Sequence, residues 1–281
     1  MKKVSITIKL VLPLVMIALL TGGCIINRVV RYPGAVDVPV KLLPDELRKA
    51  RAVFVGEYHE DWSHHRIQLK VIKALHAAGV KLAIGLEMFR ADSQGALDRW
   101  VAGEMTAKAF KKEYRKNWKV SWYQYSGILR YARKNGIPLV GLNVPHGISH
   151  KVFMGKVSSL APDEREVIGD ITCDVDKKYE KLIKDAIKEH EDTKAGYKNF
   201  CEVQMVWDNF MASRVVNYLK ENPDRTMVVL SGSAHSWKRA IPRKISARSD
   251  LTSLVVLPES RDGFMRWDIT SGDTDYLWLD P

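Results

Sequence analysis

From about residue 50 onward the chain alternates between short apolar runs and longer stretches whose apolar residues recur every three or four positions. The short runs are Ala52–Val55, Leu82–Leu86, Pro138–Leu142, Met227–Leu230 and Ser253–Leu257. Unbroken apolar strands suit a parallel sheet with helices on both faces, because neither face meets water. A last strand is expected near Phe264–Ile269. Among the longer stretches, Ser63–Ala78 keeps Ile67, Val71, Ile72 and Leu75 on one helical face. Thr106–Trp118 and Trp122–Asn135 follow, the second stopped by Asn135-Gly136. Asp174–Glu191 is strongly charged, and Phe200–Glu221 is long and mostly apolar. The expected fold is therefore α/β, with a mostly parallel central sheet flanked by helices. Residues 92–135 and 146–200 exceed what simple crossovers need, and are expected to form a helical lid or layer over the carboxyl-end edge of the strands.

The amino terminus follows a different pattern. Lys2, Lys3 and Lys9 precede Val11–Leu20, which is apolar except for Pro13, and Thr21-Gly22-Gly23 leads into Cys24. This is the layout of a secretory signal, and the apolar run is shorter than the roughly 20 residues that span a bilayer. A cysteine directly after small residues resembles a bacterial lipobox, although Thr21 stands where Leu is usual and Leu20 is displaced by one. The expectation is a signal peptide over 1–23, a lipidated Cys24 as the first mature residue, a tether over 24–40, and one α/β domain over 41–281. Plain cleavage, or an uncleaved anchor, is the alternative. Tyr32-Pro33-Gly34 and Pro39 argue for the tether by interrupting any periodicity. The protein is then expected in the bacterial cell envelope, lipid-anchored, in the outer membrane facing the periplasm.

The formal charge of +11 stays positive after loss of the three leader lysines, and it favours anionic lipid or anionic ligands. No nucleic-acid-binding motif accompanies it, so nucleic acid is not an expected partner. Cys173 and Cys201 could pair in an oxidising compartment, which would stabilise by roughly 3–4 kcal/mol, or remain as two buried thiols. Neither has metal-ligand spacing.

The ends of the apolar runs carry the candidate chemistry. The first run ends in Gly56-Glu57-Tyr58-His59, the second in Gly85-Leu86-Glu87-Met88, the third in Gly141-Leu142-Asn143-Val144-Pro145-His146, and the fourth in Ser231-Gly232-Ser233-Ala234-His235. In an open parallel sheet those ends share one edge, where ligands bind. Glu57 could cap a helix, orient His59 or bind metal. Glu87 at the end of an apolar strand needs a partner, either in a site or in a structural Arg. His64, His65 and Gln68 lie just below this edge as supporting residues. Asp208, on an apolar helix with Gln204 and Met211, needs a hydrogen-bonding partner if buried; it is either aimed at the site or, the favoured expectation, braces neighbouring backbone. Glu57, His59, Glu87 and His235 together could hold a divalent metal or let a histidine activate water against an ester or amide. A separate segment crowds Lys108, Lys111, Lys112, Arg115, Lys116 and Lys119 with Tyr114, Trp118, Trp122, Tyr123 and Tyr125. It is either a solvated basic helix face or a platform for a flat anionic ligand or phospholipid headgroups.

Four elements in order resemble a known family: Gly56-Glu57-Tyr58-His59-Glu60-Asp61, Leu86-Glu87-Met88-Phe89, the stretch from Gln204 through Trp207-Asp208-Asn209 to Ala212, and Gly232-Ser233-Ala234-His235 with Pro242 downstream. They are similar to ChaN-type lipoproteins, the haem-binding uptake branch of the Tiki/TraB/erythromycin-esterase superfamily, from about residue 50 to 245. The resemblance implies an α/β fold, a role in haem and iron uptake, delivery to an uptake receptor, and haem held at a homodimer interface with a tyrosine as iron ligand. Tyr114, then Tyr125 and Tyr179, are the tyrosines considered for that role, with Lys111, Lys112 and Arg115 toward the propionates. It equally implies ancestry with hydrolases that use the Glu/His clusters, so an ester- or peptide-cleaving enzyme is the competing expectation.

Overall fold

The computed structural model describes residues 28–154, 158, 160–169, 171–189, 197–260 and 265–279. Its strands are β1 (Arg28–Arg31), β2 (Val36–Val38), β3 (Ala52–Glu57), β4 (Leu82–Arg90), β5 (Leu139–Asn143), β6 (Thr226–Gly232), β7 (Ser253–Pro258) and β8 (Tyr276–Leu279). They form one sheet in the order β2-β1-β8-β7-β3-β6-β4-β5. Every pair from β8 through β5 is parallel, and β1 and β2 add an antiparallel end. Side chains alternate between the two faces: Val53, Val55, Val228 and Leu230 enter one core, Phe54, Met227 and Val229 the other.

The first core is covered by α1 (Leu43–Leu47), α2 (Trp62–Ala77), α3 (Gln94–Val101), α4 (Ala107–Asn117) and α5 (Trp122–Lys134), through residues such as Leu47, Ile72, Leu97, Phe110 and Leu129. The second is covered by α8 (Lys177–Glu189), α9 (Tyr197–Glu221) and α11 (Ile241–Ser246), through Ile183, Met205, Val215 and Ile241. Beyond the carboxyl end of β5, α6 (His146–Phe153) and α7 (Pro162–Ile168) pack Ile148, Val152 and Ile168 against Val206 and Phe210 of α9. The corner between α4 and α5 overhangs the end of β3, where the Gln124 amide donates to the Glu60 carbonyl at 2.8 Å. The mostly parallel sheet and its helical layer over the carboxyl edge are thus present.

Two expectations fail here. The last strand is Tyr276–Leu279; residues 265–269 are not strand, and 261–264 lie outside the described residues. Buried Asp273 pins the intervening loop by accepting from Arg239 at 2.7 Å, Lys178 at 2.6 Å and the Thr270 N–H at 2.8 Å. Much of the supposed tether is also folded: β1 and β2 make a hairpin that extends the sheet. Val29 and Val30 are buried, Arg28 and Arg31 point outward, and Pro33-Gly34 is part of its turn. The signal peptide expected over residues 1–23, and Cys24, lie outside the described residues.

One irregularity positions the chemistry. Leu86 pairs with Gly141 but Arg90 with Asn143, so β4 carries extra residues against β5. Such a bulge re-aims side chains, and Glu87 sits inside it. A Cβ on Gly141 would come within 2.6 Å of the Arg90 carbonyl oxygen, so the bulge requires glycine opposite it.

Cys173 and Cys201 form a disulfide with their Cα atoms 5.7 Å apart. It ties the approach to α8 onto the first turns of α9. Replacing both cysteines by alanine is expected to cost about 3 kcal/mol, read from the urea midpoint of the oxidised protein. An unchanged midpoint would show that the cross-link adds no stability.

Candidate functional site

The four strand ends do converge. Glu57, the last residue of β3, is 1% exposed, and protein donors fill its oxygens. Its Oε1 accepts from His59 Nδ1 at 2.8 Å and from the Tyr125 hydroxyl in a very short bond. Its Oε2 accepts from the Gln68 amide at 2.7 Å, with His65 Nδ1 at 3.3 Å. Glu57 is therefore no helix cap; that task falls to Asp61, whose carboxylate accepts the Ser63 N–H at 2.8 Å. His64 and His65 are supports: His64 Nδ1 accepts the Tyr58 N–H at 2.9 Å, and His65 Nε2 lies 3.0 Å from the His59 carbonyl.

The second half of the site is built on β4, β6 and α9. Glu87 Oε2 accepts the Gly232 N–H at 2.7 Å, and its Oε1 lies 3.9 Å from His235 Nε2. His235, in the one-turn helix α10 (Ser233–Ser236), is held from behind by Asp208 Oδ1, 2.7 Å from its Nδ1. Asp208 Oδ2 accepts from the Tyr179 hydroxyl at 2.5 Å. Asp208, expected to brace backbone, instead orients His235. Gly232 lies between the halves: a Cβ there would stand 3.1 Å from His59 Cε1 and 3.7 Å from Glu87 Oε2.

Two histidines thus meet around one carboxylate, each backed at Nδ1 by a buried acid. Burial alone would lower the His59 pKa, but the Glu57 hydrogen bond and the charges of Glu87, Glu57 and Glu60 outweigh it and hold the pKa at about 9. For His235, burial is likewise overcome by the charge of Glu87 and the bond to Asp208, and its pKa is raised. Burial pushes Glu57 upward, yet hydrogen bonds from His59 and His65 bring it well below the usual carboxylate range. The arrangement can orient water or a polar ligand and move protons at the Nε2 atoms of the two histidines, which no carboxylate occupies at hydrogen-bond distance.

The tyrosines fall elsewhere than the iron-ligand expectation needs. Tyr114, Tyr125 and Tyr179 are all buried, at 0%, 1% and 2% exposure. Their hydroxyls donate to the Val120 carbonyl at 2.9 Å, to Glu57 and to Asp208. Burial raises the pKa of each, assisted by the nearby carboxylates. In this conformation none presents a phenolate to a haem at the surface, because each ring packs in the core. Lys112 and Arg115 are exposed on α4, and Lys111 lies 4.6 Å over the ring of Tyr123. This basic face adjoins the polar edge through Trp118, whose ring stands edge-on to His59 with centroids 4.9 Å apart.

The metal expectation gains no support. Among the described residues no group of three or more His, Cys, Asp or Glu side chains is placed to hold a metal ion. Glu57 is taken up by four side chains and Glu87 Oε2 by a backbone N–H, while the carboxylates at Nδ1 of both histidines leave only their Nε2 atoms for a ligand.

Fold and site together define an α/β protein with a cluster of ionisable side chains at the carboxyl edge of a parallel sheet. The chain belongs to the haem-binding uptake family of the Tiki superfamily, ChaN, whose model matches residues 43–245. It is similar in fold to the structure of cofacial haem binding to ChaN of Campylobacter jejuni. That match has a TM-score of 0.72 at 18% identity and covers 91% of this chain and 97% of the other. An erythromycin esterase mutant in its open conformation superposes with a TM-score of 0.51 at 14% identity, covering 83% of this chain and 76% of the esterase. Among curated proteins, the chloroplastic Protein RETICULATA-RELATED 5 of Arabidopsis thaliana is 24% identical over 268 residues, which is 88% of this chain. The match spans only 36% of the plant protein's length.

The raised pKa of His59 adds stability that is complete below its ordinary value of 6.5 and is lost as pH climbs through about 9. Glu57, with its pKa lowered, adds stability that is complete above 4.5 and is lost on acidification. The His59 ring proton should accordingly titrate near 9 by NMR, and clearly lower in Glu57→Gln, which removes the hydrogen bond and one of the three raising charges. Glu87→Gln, which leaves the Glu57 cluster whole, should give an intermediate value. Titration near 6.5 in the unmodified protein would break the electrostatic account.

Proposed function

We propose that this protein is an envelope lipoprotein, anchored in the outer membrane through acylated Cys24, that captures haem on the periplasmic side and passes it to an uptake receptor. Membership of a haem-binding uptake family carries the reading. The disulfide supports the oxidising compartment that export implies.

The exposed chemistry of the α4–α5 face fits haem. Tyr123 is 61% exposed, whereas its segment neighbours Tyr114 and Tyr125 are buried. Phenolate oxygen is a ligand for ferric haem iron, so Tyr123 replaces the three buried tyrosines as the proposed ligand. Lys111, Lys112 and Arg115 stand on the adjoining helix, and such cations pair with propionates. A flat ligand on an exposed face leaves its second side open, which favours a homodimer closing around it. Titration of ferric haem should produce a Soret band that shifts in Tyr123→Phe and persists unchanged in Tyr114→Phe, and sedimentation should show two chains associating on loading. A band indifferent to Tyr123→Phe would refute this placement.

The rim of Glu57, His59, Glu87 and His235 supports a second reading, a metal-free hydrolase. The specific observation is the Tyr179–Asp208–His235 relay ending beside Glu87. In this reading Glu87 or His235 takes the proton of an attacking water, and cationic His59 protonates the leaving oxygen of an ester. Turnover of p-nitrophenyl acetate should then fall at least about a hundredfold in His235→Gln, with haem binding intact. Equal rates for the variant and the unmodified protein would assign the rim to structure alone.

A further inference from the structure

The direction of β1 fixes where an anchored chain enters the fold. β1 is antiparallel to β8, and Arg28 pairs with Leu279, the last residue of β8. Because β8 runs parallel to the strands that carry the site, Arg28 stands at the same carboxyl edge as Glu57, Glu87 and Gly232. Three strand spacings separate β1 from β3, about 15 Å at about 4.8 Å each. Cys24 precedes Arg28 by four residues, a reach of at most about 14 Å. With the supposed tether folded into the hairpin, an acyl group on Cys24 leaves this edge no freedom to face away from the bilayer.

The side chains of that edge suit a headgroup layer. Trp62 opens α2 directly beyond the end of β3 and is 54% exposed. Arg66, one turn further along the same helix face, is exposed, as is Lys119 in the α4–α5 turn beside the rim residue Trp118. No carboxylate pairs with Arg66 or Lys119 among the described residues. Exposed tryptophan with unpaired cations is the composition that seats at a membrane–water interface and on anionic phospholipid.

We infer that the carboxyl edge of the sheet is the membrane-docking surface, with Trp62, Arg66 and Lys119 seated among anionic phospholipid headgroups. The inference rests on Cys24 acylation and deepens the haem reading. Haem, an apolar macrocycle with two carboxylates, suits the same interface, so the α4–α5 face proposed for haem adjoins the surface where such a ligand collects.

The test uses the full-length protein purified from membranes and reconstituted into vesicles of phosphatidylcholine and phosphatidylglycerol with brominated acyl chains. Mass spectrometry of the amino-terminal peptide reads the anchor; quenching of tryptophan fluorescence reads docking. Expected are an acylated Cys24 and quenching that is lost in Trp62→Phe. The docked-to-undocked ratio should fall about fivefold on each of Arg66→Gln and Lys119→Gln, and quenching should weaken in pure phosphatidylcholine. An acylated chain whose quenching is the same in Trp62→Phe, or the same without anionic lipid, overturns the docking surface and leaves the anchor standing. An unmodified Cys24 overturns the anchor and the orientation drawn from it.

Discussion

Burying a carboxylate at the end of a hydrophobic strand costs several kcal/mol unless its lone pairs are filled, and Glu57 is where this protein meets that demand. Four side chains answer it, from three places: His59 just after the strand, His65 and Gln68 on α2, and Tyr125 on α5. Each is thereby fixed. Tyr125 cannot reach Glu57 unless α5 begins at the carboxyl edge, and α5 so placed holds the α4–α5 corner over the rim. His59, oriented through Nδ1, is left with Nε2 toward Gly232. The position of the helical layer and the electrostatics of the rim share this one origin.

The opposite half repeats the logic with other parts. Asp208 is fully buried in α9 and finds Tyr179 and His235. The disulfide lies about two turns before Asp208 on the same helix, and six residues before Tyr179 along the chain, so the covalent link steadies both the acceptor and the donor of the Tyr179–Asp208 bond. Two buried acids, each locked by a phenol and a histidine, give a symmetry of function without any repeat in sequence.

What the sequence made legible follows from what burial does to composition. The central parallel strands announce themselves because both faces are covered, and Val, Ile and Leu then run uninterrupted. The convergence of Glu57, His59, Glu87 and His235 followed from the same fact, since parallel strands share an edge. The strands β1 and β2 at one end of the sheet were hidden: they are three or four residues long, they flank a turn that looks like a linker, and they owe their form to each other and to the pairing of β1 with β8. Tyr276–Leu279 was overlooked for a similar reason, as a four-residue run close to the chain end. Tyrosine is the instructive error. Its ring suits a core and its hydroxyl suits a site, and the pattern alone does not say which end decides. Tyr125 and Tyr179 belong to the site, but as hydrogen-bond donors behind the acids. The role of Asp208 was signalled by a charge within an apolar helix, while its aim depended on which strand end lay opposite.

Gly232 has a consequence for how this rim can change over time. Its missing side chain leaves space between His59 and Glu87, and one methyl group there would crowd the His59 ring. A lineage could therefore silence proton chemistry at the rim in a single mutational step while keeping the sheet and the aromatic face of α5 untouched. Retention of glycine here marks a chain in which that closure has not been taken.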